Sequence, residues 1–495
     1  MSAPSSPSAG PSLAGRIAAA IALTIAFYVL ALVIGVGLIA APIIGWANGT
    51  GNIWLTITAI FLGGSILYAI VPRRSRFEPP GLRLTDAEAP GLLGMIREEA
   101  EAVDEPPVDD VYLTMEINAA VTQASKGRRV MIVGLPLVEL LSERELRGVI
   151  AHEFGHYRGG DLKAGPFIWR TRAAIGRTID QLSEDDGDES WTQRLVRLPF
   201  IWYGKAFMRI TAAISRREEF AADRCAVERV GRDALISMLH RIRGGAAAFD
   251  AYWHNEVVPV LQVGRRPPVA EGFKRFMADE QVRESTDSFV ADQLKAKSDP
   301  YDSHPSLAER IAAVEGLPAD DQGDSTPAIG LIRDPQALER RVMEGILGED
   351  AAQFEPVDWD EVGVEVYGVR ARASVEQFAD FLDGVTIGTV PDAVDRIPAT
   401  AYELVERDTD QQPYAEEALT SVLGDAVLVS LKEHGWELHA PPAEPVSAAR
   451  GDTSLLPMHL VHALRDGKLS ADEWRERMGE LGVADLPLGA RAHVA

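Results

Sequence analysis

The chain has a single cysteine, Cys225, in 495 residues. An intrachain disulfide is therefore impossible, folding does not depend on an oxidising compartment, and Cys225 reads as a small buried residue on a helix. Positive charge is also scarce. Lys and Arg number 49 against 74 Asp and Glu, a formal charge of −25, which argues against a nucleic-acid groove and for a well-solvated aqueous portion. The chain shows no internal repeat of solenoid type and no long low-complexity tract, which sets aside repeat architectures. Charge of either sign is missing altogether from two stretches near the amino terminus, Ile17 to Trp46 and Ile53 to Val71.

The first run exceeds the ~20 residues that a helix needs to cross a bilayer, and the second is also long enough to span. The turn ANGTGN joins them, and Trp46, Trp54 and Tyr68 lie near their ends, where amphipathic rings favour the headgroup level. Residues 1–16 read as a disordered tail and 17–76 as a transmembrane helical hairpin, with spans at 17–46 and 53–71. The alternative is a pair of buried core helices. A cleavable signal peptide fits poorly, because the first run is too long and a second follows at once. Arg73, Arg74 and Arg76 follow the second run while the turn carries no positive charge. The positive-inside bias then places both ends, and the bulk of the chain, in the cytoplasm of a multi-pass cell-membrane protein.

Beyond a Pro-rich linker around Phe77 to Leu84, VDDVYLTMEINAAVTQ reads as one strand, Ser125 to Gly127 as a turn and RRVMIVGLPLVELL as a second strand. LSERELRGVIAHEFGHYRGG then reads as a helix, with Ser142 and Glu145 as a capping box and Gly159-Gly160 as a stop. Two arginine-interrupted segments, PFIWRTRAAIGRTIDQL and RLVRLPFIWYGKAFMRITAAI, fit either the membrane surface or amphipathic core helices. From about Leu317 the composition shifts, and 318–495 reads as a separate acidic α+β region ending in a helical pair, HLVHALRDGKLSADEWRERMGEL.

The chemistry-bearing pattern is H-E-x-x-H at His152, Glu153 and His156. Residues four apart share a helix face, so the two imidazoles can meet one metal ion with Glu153 beside them. Zinc accepts such nitrogen donors and, in catalytic sites, keeps one position for water. A third ligand is needed. SRREEFAADRCAV offers Glu219, with Asp223 one turn on as an acceptor for the free ring N–H of a ligand histidine.

Four segments in order, INAAV, LSERELRGVIAHEFGHYRGGD, SRREEFAADRCAV and SHPSLAERIAAV, resemble the HtpX-like membrane zinc peptidases, relatives of the CAAX prenyl proteases. The resemblance covers roughly Leu84 to Leu317. It implies a mainly helical α+β zincin-type (gluzincin) domain with a small sheet over 77–317, holding one Zn2+ through His152, His156 and Glu219, with Glu153 as the catalytic carboxylate. It further implies that His304 donates to the tetrahedral intermediate, that Arg310 pairs with a carboxylate to brace a ligand-bearing helix, and that Asn118, Ala119 and Ala120 form an edge strand for polypeptide substrates. Two departures matter. Only two clear spans are present, against the closed many-helix chamber of the prenyl proteases, and the stretch between the metal segments is interrupted by arginine. The expected activity is that of a zinc endopeptidase in the membrane, acting on misfolded or membrane-associated polypeptides. The rivals are a silent zinc-containing scaffold that binds a partner through the carboxyl-terminal region, and a hydrolase of non-peptide amides.

Overall fold

The computed structural model of the chain describes residues 13–71, 77–124, 127–157, 171, 174–176, 191–296, 298, 299, 302, 304–319, 323 and 325–489. The arginines at 73, 74 and 76, the glycines at 159 and 160, and most of the first arginine-interrupted segment lie outside these residues. The chain falls into two compact units, Met1–Gly244 with Asp287–Arg333, and Gly245–Thr286 with Asp334–Ala495.

The first unit begins with two antiparallel apolar helices, α1 (Leu13–Ala47) and α2 (Ile53–Ile70). Both are long and apolar enough to cross a membrane. Asn52 starts α2 by accepting the Trp54 and Leu55 backbone N–H groups, and Trp46 Nε1 donates to Thr56 Oγ1 at 2.9 Å across the turn. Val33, Ile43, Trp54 and Phe61 are more than half exposed, the pattern of helices whose outer face meets lipid.

A four-stranded sheet follows, with strands β1 (Leu82–Arg83), β2 (Asp110–Thr114), β3 (Ala119–Gln123) and β4 (Arg129–Gly134) in the order β1-β2-β4-β3. The single strand expected over 108–123 is therefore two, and the second expected strand, 128–141, ends at Gly134, where a helix Leu135–Leu140 with Pro136 in its first turn takes over. Residues 115–118 bend the chain out of β2, so that β2 runs parallel to β4 while β3 pairs antiparallel with β4 on its far side. Gly134 permits the bend: a Cβ there would lie 1.6 Å from the Glu116 carbonyl oxygen. The insertion leaves β3 as an edge strand, beside the helices that carry the site.

Those helices are α3 (Pro90–Ala102), α4 (Leu135–Leu140), α5 (Glu143–Gly155), α6 (Trp191–Val230), the first part of α7 (Arg232–Tyr252) and α8 (Leu307–Val314). The second arginine-interrupted segment lies within α6. Its Phe200, Phe207 and Ile214 are buried with Phe27 and Ala31 of α1 and with Leu62 and Ile66 of α2, so this face of α6 packs on the apolar pair. Tyr203 donates to the Leu23 carbonyl, and Thr171 meets Thr24 at 3.2 Å.

The second unit holds two small sheets. β5 (Arg265–Arg266) pairs parallel with β6 (Glu355–Pro356), and β7 (Glu437–His439), β8 (Ser447–Arg450) and β9 (Thr453–Leu455) form an antiparallel meander. Its main core surrounds the helix Gln412–Glu433, with Trp474 fully buried and its Nε1 donating to the Ile387 carbonyl at 2.7 Å. Residues 245–286 add Tyr252 and Phe273, which pack with Trp359.

Candidate active site

The site is assembled by two helices that approach closely. In α5, Ser142 Oγ accepts the Glu145 N–H and Glu145 Oε2 accepts the Ser142 N–H at 2.9 Å, the capping box expected from the sequence. The helix then carries His152 and Glu153 in its last turns, with His156 as its helical C-cap. A Cβ on Gly155 would lie 2.9 Å from Ala222 Cα and 3.0 Å from Cys225 Cβ, so glycine at this position lets α6 come near enough to offer Glu219. A buried carboxylate holds the two helices together from behind. Glu99 of α3, with no exposed side-chain surface, meets Arg147 of α5 at 2.5 Å and Arg229 of α6 at 2.8 Å.

Glu219 lies 3.6 Å from His152 Nε2 and 3.8 Å from His156 Nε2, and one donor atom from each of the three residues falls within 4.8 Å of the others. An ion bonded at about 2.1 Å to a pair of donors in a tetrahedron sets them roughly 3.4 Å apart, so this set fits a zinc-sized cation with little adjustment. Protonation supports the fit. Burial and the neighbouring His152 push His156 down to about 4, leaving its lone pair free at neutral pH. Burial alone would raise Glu219, but the hydrogen bond with His304 and the charges of His152 and Arg310 bring it to about 2, so it stays ionised.

The surrounding contacts fix these donors. His152 Nδ1 lies 3.1 Å from Asp223 Oδ1, which leaves Nε2 to face Glu219. Arg310 of α8 grips the fully buried Asp223 twice, Nε to Oδ2 at 2.9 Å and Nη2 to Oδ1 at 2.5 Å. His304 Nδ1 lies 2.9 Å from Glu219 Oε1. Glu153 sits beside the donors, its carboxyl raised above the ordinary value chiefly by burial.

All of these groups except Asp223 line one cleft of about 370 Å³, together with Asn118, Ala119 and Ala120 at the β3 edge and apolar Leu137, Val149, Met238 and Leu239. Thus the structure brings every residue singled out in the sequence to one place, with Asp223 directly behind His152. The sequence reading passed over Tyr157, whose hydroxyl donates to the Val121 carbonyl at 3.0 Å. Its signal was the i, i+4 spacing from Glu153, which puts both side chains over the same strand.

An apolar helix pair, an edge strand and a His/His/Glu cluster beside a buried glutamate are the parts that a membrane metalloprotease would need. Residues 92–317 match the model described as Peptidase family M48. Protease HtpX of Glaesserella parasuis serovar 5 (strain SH0165) is 26% identical over 234 residues, covering 44% of this chain and 82% of that protein. Protease HtpX of Mannheimia succiniciproducens is 26% identical over 213 residues, covering 40% and 75%. Among solved structures, S. mikatae Ste24p is similar at 17% identity and a TM-score of 0.29, over 60% of this chain and 66% of that one. Residues 92–317 are thus similar to peptidase family M48, and these HtpX proteases are similar to the chain over 40–44% of its length. The match ends at residue 317, leaving the acidic carboxyl-terminal region outside it.

Proposed function

We propose that this protein is a zinc-dependent endopeptidase of the cell membrane, with 17–76 as a transmembrane hairpin, 77–317 as the peptidase domain and 318–495 as an accessory acidic region of unassigned role. In this reading His152, His156 and Glu219 hold one Zn2+. The observation that carries it is the convergence of those three donors with Glu153 in one cleft along the β3 edge.

Zinc held there supplies Lewis acidity, acidifying the attacking water and polarising the scissile carbonyl. The residues of the chain do the rest. Glu153, whose buried carboxyl has a raised proton affinity, takes the proton of the attacking water and passes it to the leaving amine. Asp223 accepts the His152 Nδ1–H and fixes that ring's orientation, and Arg310 keeps Asp223 charged and in place. His304, on the cleft wall, offers an N–H to the developing oxyanion. Backbone groups of the β3 edge around Asn118 to Ala120 pair with an extended chain, which suits unfolded or membrane-associated polypeptides. Arg73, Arg74 and Arg76 favour a cytoplasmic site.

Cleavage of casein by the detergent-purified protein, compared with Glu153→Gln, tests this reading. Loss of cleavage with retained zinc is expected. Cleavage that survives Glu153→Gln would overturn the role given to Glu153. Zinc binding by the wild type without cleavage of casein or of any unstructured peptide would favour the silent scaffold, against which the intact Glu153 now argues.

A further inference from the structure

The edge of β3 is not open along its whole length. Asn118 O accepts the Gly134 N–H at 2.9 Å and the Ala124 N–H donates to Arg128 O at 2.8 Å, so both residues turn their backbone groups toward β4. In an antiparallel pair the residues that do so alternate with those that face away. The outward-facing residues of β3 are therefore Ala119, Val121 and Gln123. Ala119 lines the cleft, whereas Val121 does not. Both outward groups of Val121 are already engaged, one by α5 and one by the turn just after it: its N–H is held by the Glu153 carboxylate, and its carbonyl accepts the Tyr157 hydroxyl at 3.0 Å. Tyr157 is itself braced, for the guanidinium of Arg129 lies over its ring at 4.9 Å and that arginine pairs with Glu105 at 2.8 Å.

We infer that Tyr157 is a specificity-determining stop on the substrate edge. It occupies the next acceptor beyond Ala119 and fixes how far an extended peptide can pair along β3. The inference rests on the peptidase reading and deepens it. A substrate gains backbone hydrogen bonds at Ala119 and none at Val121, so chain length on that side stops contributing to binding close to the scissile bond. An endopeptidase limited in this way accepts short exposed segments of larger chains, and its register is set by one pairing position instead of by side-chain pockets.

The test uses the full-length, zinc-loaded protein in detergent and Tyr157→Phe, which removes only the hydroxyl and keeps the ring under Arg129. The substrates are casein-derived peptides with one cleavage site, lengthened residue by residue in both directions, and the same peptides N-methylated at single amides. Competition binding to the metal-free protein gives a readout independent of turnover. For the wild type, KM should stop falling once the peptide reaches Ala119 on the Val121 side. In Tyr157→Phe the freed carbonyl takes one substrate N–H, so KM for long peptides should fall roughly two- to tenfold with little change in kcat. One amide that tolerated N-methylation in the wild type should become sensitive, in binding as in cleavage. Identical length and N-methyl profiles in the two proteins would overturn the inference while leaving the peptidase reading intact. A uniform loss of kcat at every length, with zinc retained, would also overturn it by moving Tyr157 into the chemistry. Failure of the wild type to cleave any peptide would overturn the peptidase reading and this inference with it.

Discussion

Replacing Arg310 with methionine isolates the contact that carries most electrostatic weight behind the site. Two charge-assisted hydrogen bonds, at 2.9 and 2.5 Å, join Arg310 to an Asp223 side chain with no exposed surface, and Arg310 itself is only 17% exposed. Burial would raise the Asp223 carboxyl, yet the hydrogen bonds from Arg310 and His152 bring it from 3.8 to about 2. That net depression corresponds to about 2 kcal/mol of stability near neutral pH. Removing Arg310 also leaves the desolvation of Asp223 unopposed, so the cost should exceed that figure and reach about 3–5 kcal/mol, the range for breaking a buried pair. At roughly 2–4 °C per kcal/mol for units of this size, Tm of the metal-free protein should drop by about 6–20 °C. Asp223→Asn in the same background removes the stranded charge, so the double variant should be more stable than Arg310→Met alone. Thermal unfolding of the four proteins in EDTA measures this cycle. Additive losses, or a double variant no better than Arg310→Met, would refute the reasoning.

Further predictions follow from buried groups elsewhere. Glu99→Gln should destabilise the first unit by about 1–3 kcal/mol, below the cost for a fully enclosed pair because Arg147 and Arg229 keep about a third of their surface in water. It should also weaken zinc binding by loosening α5 against α6, and a chelator competition titration checks that second effect. In the second unit, burial raises the Asp425 carboxyl despite a hydrogen bond from Ser374 and the charge of Arg370. A folded-state value above the unfolded one means that stability is greatest below the unfolded value, 3.8, and declines as pH rises through the folded value. Asp425→Asn should therefore raise Tm at pH 7 and lose that advantage near pH 3, as scanning calorimetry across that range would show; a lower Tm at pH 7 would count against the sign of this argument.

How much was legible in the sequence depended on whether the relevant spacing was local. The helix with His152, Glu153 and His156 announces itself through Ser142, Glu145 and the four-residue spacing. Glu219 and Asp223 show the same spacing on α6. The two apolar runs are visible because a membrane span demands an unbroken stretch with no charge. The sheet order was hidden, since nothing in VDDVYLTMEINAAVTQ marks where β2 ends; the bend is permitted by Gly134, sixteen residues beyond Asn118, which accommodates the Glu116 carbonyl from across the sheet. Glu99 likewise looks like one of several acidic residues on an amphipathic helix until its two arginine partners, 48 and 130 positions away, are brought to it. Tyr157 lay in plain view beside the motif, but its partner is a backbone carbonyl on a strand whose exposed edge appears only once β4 is inserted between β2 and β3.

The most direct test of the account is the zinc content of the detergent-purified wild type beside Glu219→Ala and Glu153→Gln, with casein cleavage measured on the same samples. The account predicts one zinc per chain and cleavage in the wild type, weakened zinc and no cleavage in Glu219→Ala, and full zinc without cleavage in Glu153→Gln. A wild type that binds no zinc, or a Glu219→Ala variant that holds it as tightly as the wild type, would contradict the central claim that His152, His156 and Glu219 form the metal site.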